Sequence, residues 1–225
     1  MTALPTIVEL ADIAGATYTR TDPFCEVLGS SFVIFRSVRP TDGVVEFGIE
    51  GTHNDQGWSV DFVAIGAEPH VGVDHPTLGF VHAGIYAACA TAFPKILPDA
   101  KKAPVIISGH SLGGGGAIML GAMCAVDGCP PLMVGAFAPP LVGAAKLVGI
   151  TKSFPLFACQ YGQDPVPEVP IPLWPFFPYQ QVPLTHFPAP YTVDPLDIPA
   201  RIAFHHWPNY AAGARAYQAT LTASP

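Results

Sequence analysis

The stretch 105–116, VIISGHSLGGGG, constrains the fold of this chain more than any other part of its sequence. Its first four residues are apolar or small and indicate a short strand that is covered on both faces. Ser111 follows between glycines, and Gly113 to Gly116 stand where a helix would begin. Each glycine inside a helix costs roughly 1 kcal/mol relative to alanine. We therefore expect close packing of this helix on its neighbours to compensate.

The pentapeptide GHSLG at 109–113 fits the G-x-S-x-G pattern of a nucleophile elbow, a serine on a tight turn between a strand and a helix. In such a turn the backbone approaches itself so closely that side chains at the flanking positions, Gly109 and Gly113, would clash. The start of the helix also offers N–H groups to a developing oxyanion. The pattern predicts that Ser111 is a nucleophile.

The surrounding sequence predicts strands and helices in alternation. The predicted strands lie at 32–38, 44–51, 105–108, 132–138 and 154–161, with 58–65 as a further candidate. The predicted helices follow Phe80 to about Leu97, where Pro98 would end the helix, then Ser111 to about Val126, and finally Asn209 to about Leu221. This order is typical of an α/β fold.

Length and composition limit the domain count and the partners. A chain of 225 residues, half of them apolar, predicts a single domain over 1–225. Ten Lys and Arg stand against seventeen Asp and Glu, which argues against a nucleic-acid partner. No run approaches the roughly 20 apolar residues of a transmembrane helix. The N-terminus has no recognisable secretory signal, so we expect a cytoplasmic protein or a mature secreted form.

The segment at about 165–199 is rich in proline and aromatic residues. Proline excludes a long helix or an interior strand there. The segment is therefore predicted to be an irregular loop, which either packs on the body of the domain or forms an apolar wall of a binding site.

The five cysteines are an odd number and lack metal-ligand spacing. Cys89, Cys124 and Cys159 lie in apolar contexts typical of buried thiols. The sequence allows a disulfide between Cys124 and Cys129 but does not require one. We predict no metal and no cofactor.

A serine nucleophile needs a base and an orienting carboxylate, and in an elbow of this kind the acid and then the histidine follow the serine along the chain. Asp164 directly follows a predicted strand, where such an acid is expected, and it ranks above Asp127 and Glu168; the other downstream acids are Asp194 and Asp197. The downstream histidines are His186, within the proline-rich segment, and His205 and His206, just before the last helix.

Several sequence blocks resemble the class 3 lipases, the fungal-type triacylglycerol lipase family of the α/β-hydrolases. They are EGTHNDQGWSVDF at 50–62, VHAGI at 81–85, GHSLGG at 109–114, APPLVG at 138–143 and QDPVPEVP at 163–170. The resemblance spans about residues 43–210. It implies an α/β-hydrolase fold, with a central, mostly parallel sheet flanked by helices.

The resemblance also implies roles for individual residues. Ser111 would be the nucleophile and Asp164 the orienting acid. Thr52, through its N–H and hydroxyl, and the N–H of Leu112 would form the oxyanion hole. HHWPNY at 205–210 matches a bacterial spacing of histidine and tyrosine with His205 as the base, whereas the shorter fungal spacing fits His206 as the alternative base. We favour His205.

The sequence departs from the family pattern at a few positions. Glu50 and Leu141 stand where arginine is usual, and Asn54 stands where serine is common. His82 and His110 would have structural roles. The short polar segment after Thr52 replaces the lid helix of fungal members, so interfacial activation is not assumed.

The expected function is hydrolysis of carboxylic esters through an acyl-enzyme, by a lipase or esterase acting on a small ester or lipid, with contact to a lipid–water interface as a further expectation. Alternatives are a phospholipase A1, a feruloyl-type aryl esterase, a thioesterase or peptidase, and a non-catalytic lipase-like binding protein.

Overall fold

The computed structural model describes residues 3–27, 32–52, 72–170 and 178–223. Its strands, in chain order, are β1 Cys25–Glu26, β2 Val33–Val38, β3 Val45–Ile49, β4 Gly72–His75, β5 Gly79–His82, β6 Val105–His110, β7 Met133–Phe137, β8 Leu156–Tyr161 and β9 Thr185–Phe187. Its α-helices are α1 Ile7–Ala16, α2 Ala83–Lys102, α3 Leu112–Val126, α4 Ala145–Thr151, α5 Ile198–Ile202 and α6 Trp207–Ala223. Two 3-10 helices cover Val166–Glu168 and Ala203–His205.

Seven of the strands form one sheet in the order β1-β2-β3-β6-β7-β8-β9. The first two pairings are antiparallel, and all pairings from β3 to β9 are parallel. Because parallel strands end at the same edge, the segments that follow β3, β6 and β8 meet at one edge of the sheet. Strands β4 and β5 form a separate hairpin.

Helices cover both faces of the sheet. On one face, α2 and α3 bury apolar side chains such as Cys89, Ile96 and Ile118 in the larger core cluster. On the other face, α1 and α6 pack together and enclose Leu10, Phe137 and Tyr210. The predicted α/β fold with a mostly parallel central sheet flanked by helices is confirmed.

The N-terminal helix α1 has no counterpart among the predicted elements. Thr6 and Glu9 form a capping box at its start. Ser108 of β6 donates a buried hydrogen bond of 2.8 Å to the carbonyl oxygen of Leu10. Helix α1 is therefore joined to the strand that leads into the elbow.

The helix predicted from Phe80 to Leu97 is wrong at both ends. Phe80 lies in strand β5, and α2 continues through Pro94 and Pro98 to Lys102. A proline inside a helix costs about 3 kcal/mol. Ile96 is fully buried between the two prolines, so packing against the core carries the helix past the point where local propensity would end it.

The other predicted elements match the structure within a few residues, and α3 ends at Val126 as expected. The candidate strand at 58–65 lies outside the described residues. All five cysteines are free thiols, with Cys89, Cys124 and Cys159 buried as predicted. None of the helices in the described ranges is long and apolar enough to cross a membrane.

Candidate active site

Ser111 sits at the joint between β6 and α3 in a backbone conformation that non-glycine residues rarely adopt. Its φ is 59° and its ψ is −128°, a strained combination that persists only where the surroundings fix it. Its N–H donates to the carbonyl oxygen of Phe137 at 2.9 Å, and its own carbonyl oxygen accepts from Gly115 N at 3.1 Å. The hydroxyl does not cap the helix. The backbone thus presents this hydroxyl at the carboxyl edge of the sheet.

The two glycines that flank the serine are required by close backbone contacts. A Cβ on Gly109 would lie 2.3 Å from the carbonyl oxygen of Gly113, and a Cβ on Gly113 would lie 2.1 Å from that of Ile49. Both distances are far below van der Waals contact. The predicted steric reason for these glycines is confirmed.

The three glycines that follow allow α3 to pack closely on its neighbours. A Cβ on Gly114 would lie 2.8 Å from the carbonyl oxygen of Phe137, and one on Gly116 would lie 2.5 Å from the ring of Phe32. At Gly115 the nearest atom is 3.0 Å away, on Val142. The expectation of close helix packing is confirmed, and it explains why α3 tolerates glycines that are unfavourable by propensity.

Asp164 and His205 are brought together at the same edge of the sheet. Asp164 follows the end of β8 and is fully buried, and His205 ends the second 3-10 helix with 2% of its surface exposed. Asp164 Oδ2 lies 2.7 Å from His205 Nδ1. His206, in contrast, is exposed.

The other sequence candidates have different surroundings. Asp127 pairs with Lys101 at 2.7 Å, and Glu168 pairs with Arg201. Asp194 and Asp197 accept backbone hydrogen bonds within their own segment, and His186 is exposed on the edge strand β9.

The carboxylate of Asp164 accepts hydrogen bonds from two further donors. Val166 N donates to Oδ1 at 2.9 Å, and the hydroxyl of Tyr210 donates to Oδ2 at 2.5 Å. The same hydroxyl accepts from Tyr161 N at 3.0 Å. Burial, together with the charge of Asp164, raises the pKa of Tyr210 well above its usual value, so this phenol stays protonated and remains a donor.

His110 packs against the ring of His205. The two ring centroids are 4.5 Å apart, and Nδ1 of His110 is hydrogen-bonded to the hydroxyl of Tyr18 at 2.7 Å. Burial lowers the pKa of His110 well below its usual range, and burial raises the pKa of Tyr18. Both groups are therefore neutral around neutral pH. Because His110 directly precedes Ser111, this contact joins the ring of His205 to the residue before the elbow serine.

The segment expected to supply an oxyanion donor lies against the elbow. In the parallel pairing of β3 and β6, Ile49 is opposite Gly109. A Cβ on Gly51 would lie 3.2 Å from Ser111 Cβ, which puts the backbone immediately before Thr52 in contact with the elbow. Leu112, the other expected donor, is the first residue of α3. The segment 53–71, which includes Asn54, lies outside the described residues.

No group of three or more His, Cys, Asp or Glu that could hold a metal ion occurs within the described ranges. This edge of the sheet carries a hydroxyl on a strained turn and an imidazole hydrogen-bonded to a buried carboxylate.

A family model described as Lipase (class 3) matches residues 47–174, which is more than half of the chain. The chain belongs to the class 3 lipase family. This membership confirms the resemblance drawn from the sequence blocks and the prediction of a carboxylic ester hydrolase. No curated protein sequence matches the chain significantly.

Solved structures of fungal lipases share the fold. A crystal structure of a mutant form of MDLA from Penicillium cyclopium is 18% identical, with a TM-score of 0.67, and the match covers 92% of this chain and 94% of that one. A lipase from Rhizopus microsporus var. chinensis is 19% identical, with a TM-score of 0.66 and coverage of 91% and 85%. A mono- and diacylglycerol lipase from Aspergillus oryzae is 17% identical, with a TM-score of 0.64 and coverage of 82% and 77%.

Some residues around this lipase-family site have contacts that the sequence analysis did not predict. Tyr18 lies in the turn after α1, a helix that was not predicted, and reaches His110 only through the tertiary fold. Tyr210 ends the histidine–tyrosine spacing of HHWPNY at 205–210, and that spacing was the available signal for its contact with Asp164. Glu50, where the family usually has arginine, is buried with 3% of its surface exposed.

Proposed function

We propose that this member of the class 3 lipase family hydrolyses carboxylic esters through an acyl-enzyme, with Ser111 as the nucleophile, His205 as the base and Asp164 as the orienting acid. The observation that carries the proposal is the buried 2.7 Å contact between Asp164 Oδ2 and His205 Nδ1. The ring of His205 also packs against His110, the residue directly before Ser111, whose φ of 59° is typical of a nucleophile elbow.

In the first half of the reaction, the Asp164 carboxylate accepts the Nδ1–H of His205, so that Nε2 takes the proton of Ser111. The serine oxygen attacks the ester carbonyl, and the carbonyl oxygen becomes an oxyanion. The N–H of Leu112 and the N–H and hydroxyl of Thr52 stabilise that oxyanion. Collapse of the intermediate breaks the ester C–O bond, and His205 returns the proton to the departing alcohol.

In the second half, His205 takes a proton from water while the water oxygen attacks the acyl carbon. A second oxyanion forms and accepts hydrogen bonds from the same donors. Collapse of this intermediate releases the carboxylic acid, and His205 returns the proton to Ser111. The same groups act twice, so loss of any one of them affects both steps.

The proposed substrate is a lipid or other apolar ester at a lipid–water interface. The proposed enzyme is a single domain over 1–225. Two large apolar side chains near α5 support interfacial contact, because Tyr191 is 54% and Leu196 is 88% exposed. The net charge of −7 favours an uncharged lipid over an anionic one. The fungal neighbour named a mono- and diacylglycerol lipase makes partial acylglycerols a first substrate to assay.

The test compares the parent with Ser111→Ala, His205→Ala and His206→Ala on p-nitrophenyl esters of increasing acyl length. Loss of the nucleophile or the base is expected to lower kcat by about 10⁴-fold or more. His206→Ala serves as the matched control and is expected to stay within about twofold of the parent, because its side chain is exposed and makes no hydrogen bond to Asp164.

Full activity in Ser111→Ala would contradict the mechanism, and an inactive His206→Ala beside an active His205→Ala would contradict the choice of base. A parallel panel of acylglycerol, phospholipid, feruloyl and thioester substrates then assigns the ester class. Hydrolysis of a phospholipid or feruloyl ester alone would replace the acylglycerol assignment.

A further inference from the structure

Arg201 joins the segment that carries the acid to the segment that carries the base. It lies on the short helix α5, four residues before His205, and 11% of its side chain is exposed. Its Nε donates to the carbonyl oxygen of Gln163 at 2.9 Å, its Nη1 to that of Pro195 at 3.3 Å, and its Nη2 to Glu168 Oε1. Three nitrogens of one guanidinium thus bond three residues, two of them in the segment 163–168 that carries Asp164.

Two of these three partners stand on either side of the acid. Gln163 directly precedes Asp164, and Glu168 ends the 3-10 helix whose first residue, Val166, donates to Asp164 Oδ1. Gln163 is itself held, because its side chain donates to Val193 O at 3.0 Å and accepts from Val193 N at 2.7 Å. The guanidinium therefore fixes both ends of the turn that presents the carboxylate.

The contact between Asp164 and His205 depends on how these two segments are placed. The two residues are 41 positions apart in the sequence, and no sheet hydrogen bond joins the 3-10 helix of His205 to β8. A displacement of about 1 Å in reacting groups can lower a rate about 100-fold. A rigid, buried link close to both residues is suited to prevent that displacement.

The chemistry of the side chain points to arginine specifically. The planar guanidinium carries donors in a fixed fork, whereas lysine has one point charge on a flexible stem. Two of the acceptors are backbone carbonyl oxygens and only one is a carboxylate, so directional hydrogen bonding matters more here than charge neutralisation. Glu168 is half-exposed, and its ion pair alone would contribute little.

We propose that Arg201 is a positioning residue for catalysis, which sets the distance between Asp164 and His205 by bonding to Gln163 and Glu168. This inference rests on the proposed function. It assigns to Arg201 no contact with the substrate, and it gives Glu168, which was a candidate acid in the sequence, the role of an anchor for the guanidinium.

The test measures kcat and KM on a soluble short-chain p-nitrophenyl ester for Arg201→Met, Arg201→Lys and Glu168→Gln. Arg215→Met is the matched control, since Arg215 is exposed on α6. We expect Arg201→Met to lower kcat about 10- to 100-fold with KM within about twofold of the parent. Arg201→Lys should recover part of that loss, and Glu168→Gln, which still offers an acceptor oxygen, should stay within about threefold.

Proton NMR supplies a second readout that general loss of stability does not mimic. In folded parent and Arg215→Met, the Nδ1–H of His205 bound to a carboxylate should give the most downfield imidazole resonance, and Arg201→Lys should shift or broaden it. Unchanged kcat and resonance in both Arg201 variants would overturn the inference, as would a change in KM alone. If Arg201→Met does not fold, the same two measurements on Arg201→Lys decide the matter.

Different experimental results would overturn the proposed function and the proposed role of Arg201. A parent without ester hydrolysis, or a Ser111→Ala variant that keeps it, overturns the proposed function. A parent that needs Ser111 but tolerates both Arg201 variants overturns only the role of Arg201.

Discussion

The carboxylate of Asp164 is held by donors from three parts of the chain, namely Val166, His205 and Tyr210. Its position is therefore determined by tertiary contacts as much as by the end of β8. Removing one donor changes the orientation of the acid without removing the acid, and that difference can be measured.

Tyr210→Phe removes only the hydroxyl that lies between Tyr161 N–H and Asp164. A buried N–H and a buried carboxylate oxygen then each lose one partner, and the free energy of unfolding should fall by about 1–3 kcal/mol. We also expect kcat on a soluble ester to fall about tenfold, because the acid is less firmly held.

Tyr217→Phe on the same helix is the control for Tyr210→Phe, since Tyr217 packs its ring against Phe157 and Phe187 away from Asp164. Urea unfolding and steady-state kinetics measure the two effects. Equal stability and equal kcat in Tyr210→Phe and the parent would show that this hydroxyl does not hold the acid.

Local sequence patterns predicted the candidate groups Ser111 and Asp164, whose catalytic roles stay predictions. Ser111 is marked by its glycines, and Asp164 by its place after a strand. No local pattern indicates the contacts of Tyr18 and Arg201, because each forms a hydrogen bond with a residue more than thirty positions away in sequence. Their contacts depend on the packing of α1 and α5, which single-sequence patterns do not specify.

Substitution of Gly113, at the start of α3, tests whether close backbone contacts at the elbow require glycine. Gly113→Ala would place a Cβ 2.1 Å from the carbonyl oxygen of Ile49, where backbone rather than a mobile side chain must move. We expect a loss of at least about 3 kcal/mol in the free energy of unfolding, or failure to fold.

Gly149→Ala is the matched control for Gly113→Ala. Gly149 lies in helix α4, and a Cβ there meets no atom within 4 Å. Alanine favours the helix and should raise the free energy of unfolding by about 0.5–1 kcal/mol. Thermal and urea unfolding of the two variants give the comparison, and equal stability for both would contradict the steric account of the elbow.

Elements that are specified by nearby residues were predicted correctly, whereas elements whose bounds depend on tertiary packing were not. The strand, elbow and α3 were predicted because glycine spacing and apolar periodicity are local signals. Helix α2 was given wrong ends, because burial of Ile96 and its neighbours outweighs Pro94 and Pro98. Helix α1 was missed although it carries a capping box, and its place is set by Ser108 and by α6.

For the whole molecule, buried neutral histidines predict that stability falls in acid. Burial lowers the pKa of His82 to about 4 from an ordinary value of 6.5, and burial lowers the pKa of His110 in the same direction. Between pH 6.5 and 4 the unfolded chain binds a proton that the native His82 does not. The free energy of unfolding therefore decreases as the pH falls through this window.

His82→Asn isolates this effect, because asparagine can still cap the start of α2, where His82 Nδ1 accepts from Ile85 N. Between pH 7 and 4.5 the variant should lose about 2–3 kcal/mol less stability than the parent. Urea unfolding at both pH values measures the difference, with the exposed His206→Asn as control. Parallel losses in His82→Asn and the parent would contradict the assignment.

Covalent trapping tests whether Ser111 is the nucleophile that would form the acyl-enzyme. The parent is treated with a fluorophosphonate ester that reacts with activated serines. Mass spectrometry then measures the masses of the intact protein and of its peptides. We predict one adduct, on the peptide that contains Ser111, which is absent in Ser111→Ala and slowed in His205→Ala. Ester hydrolysis with no adduct on Ser111, or an adduct that persists in Ser111→Ala, would contradict the account.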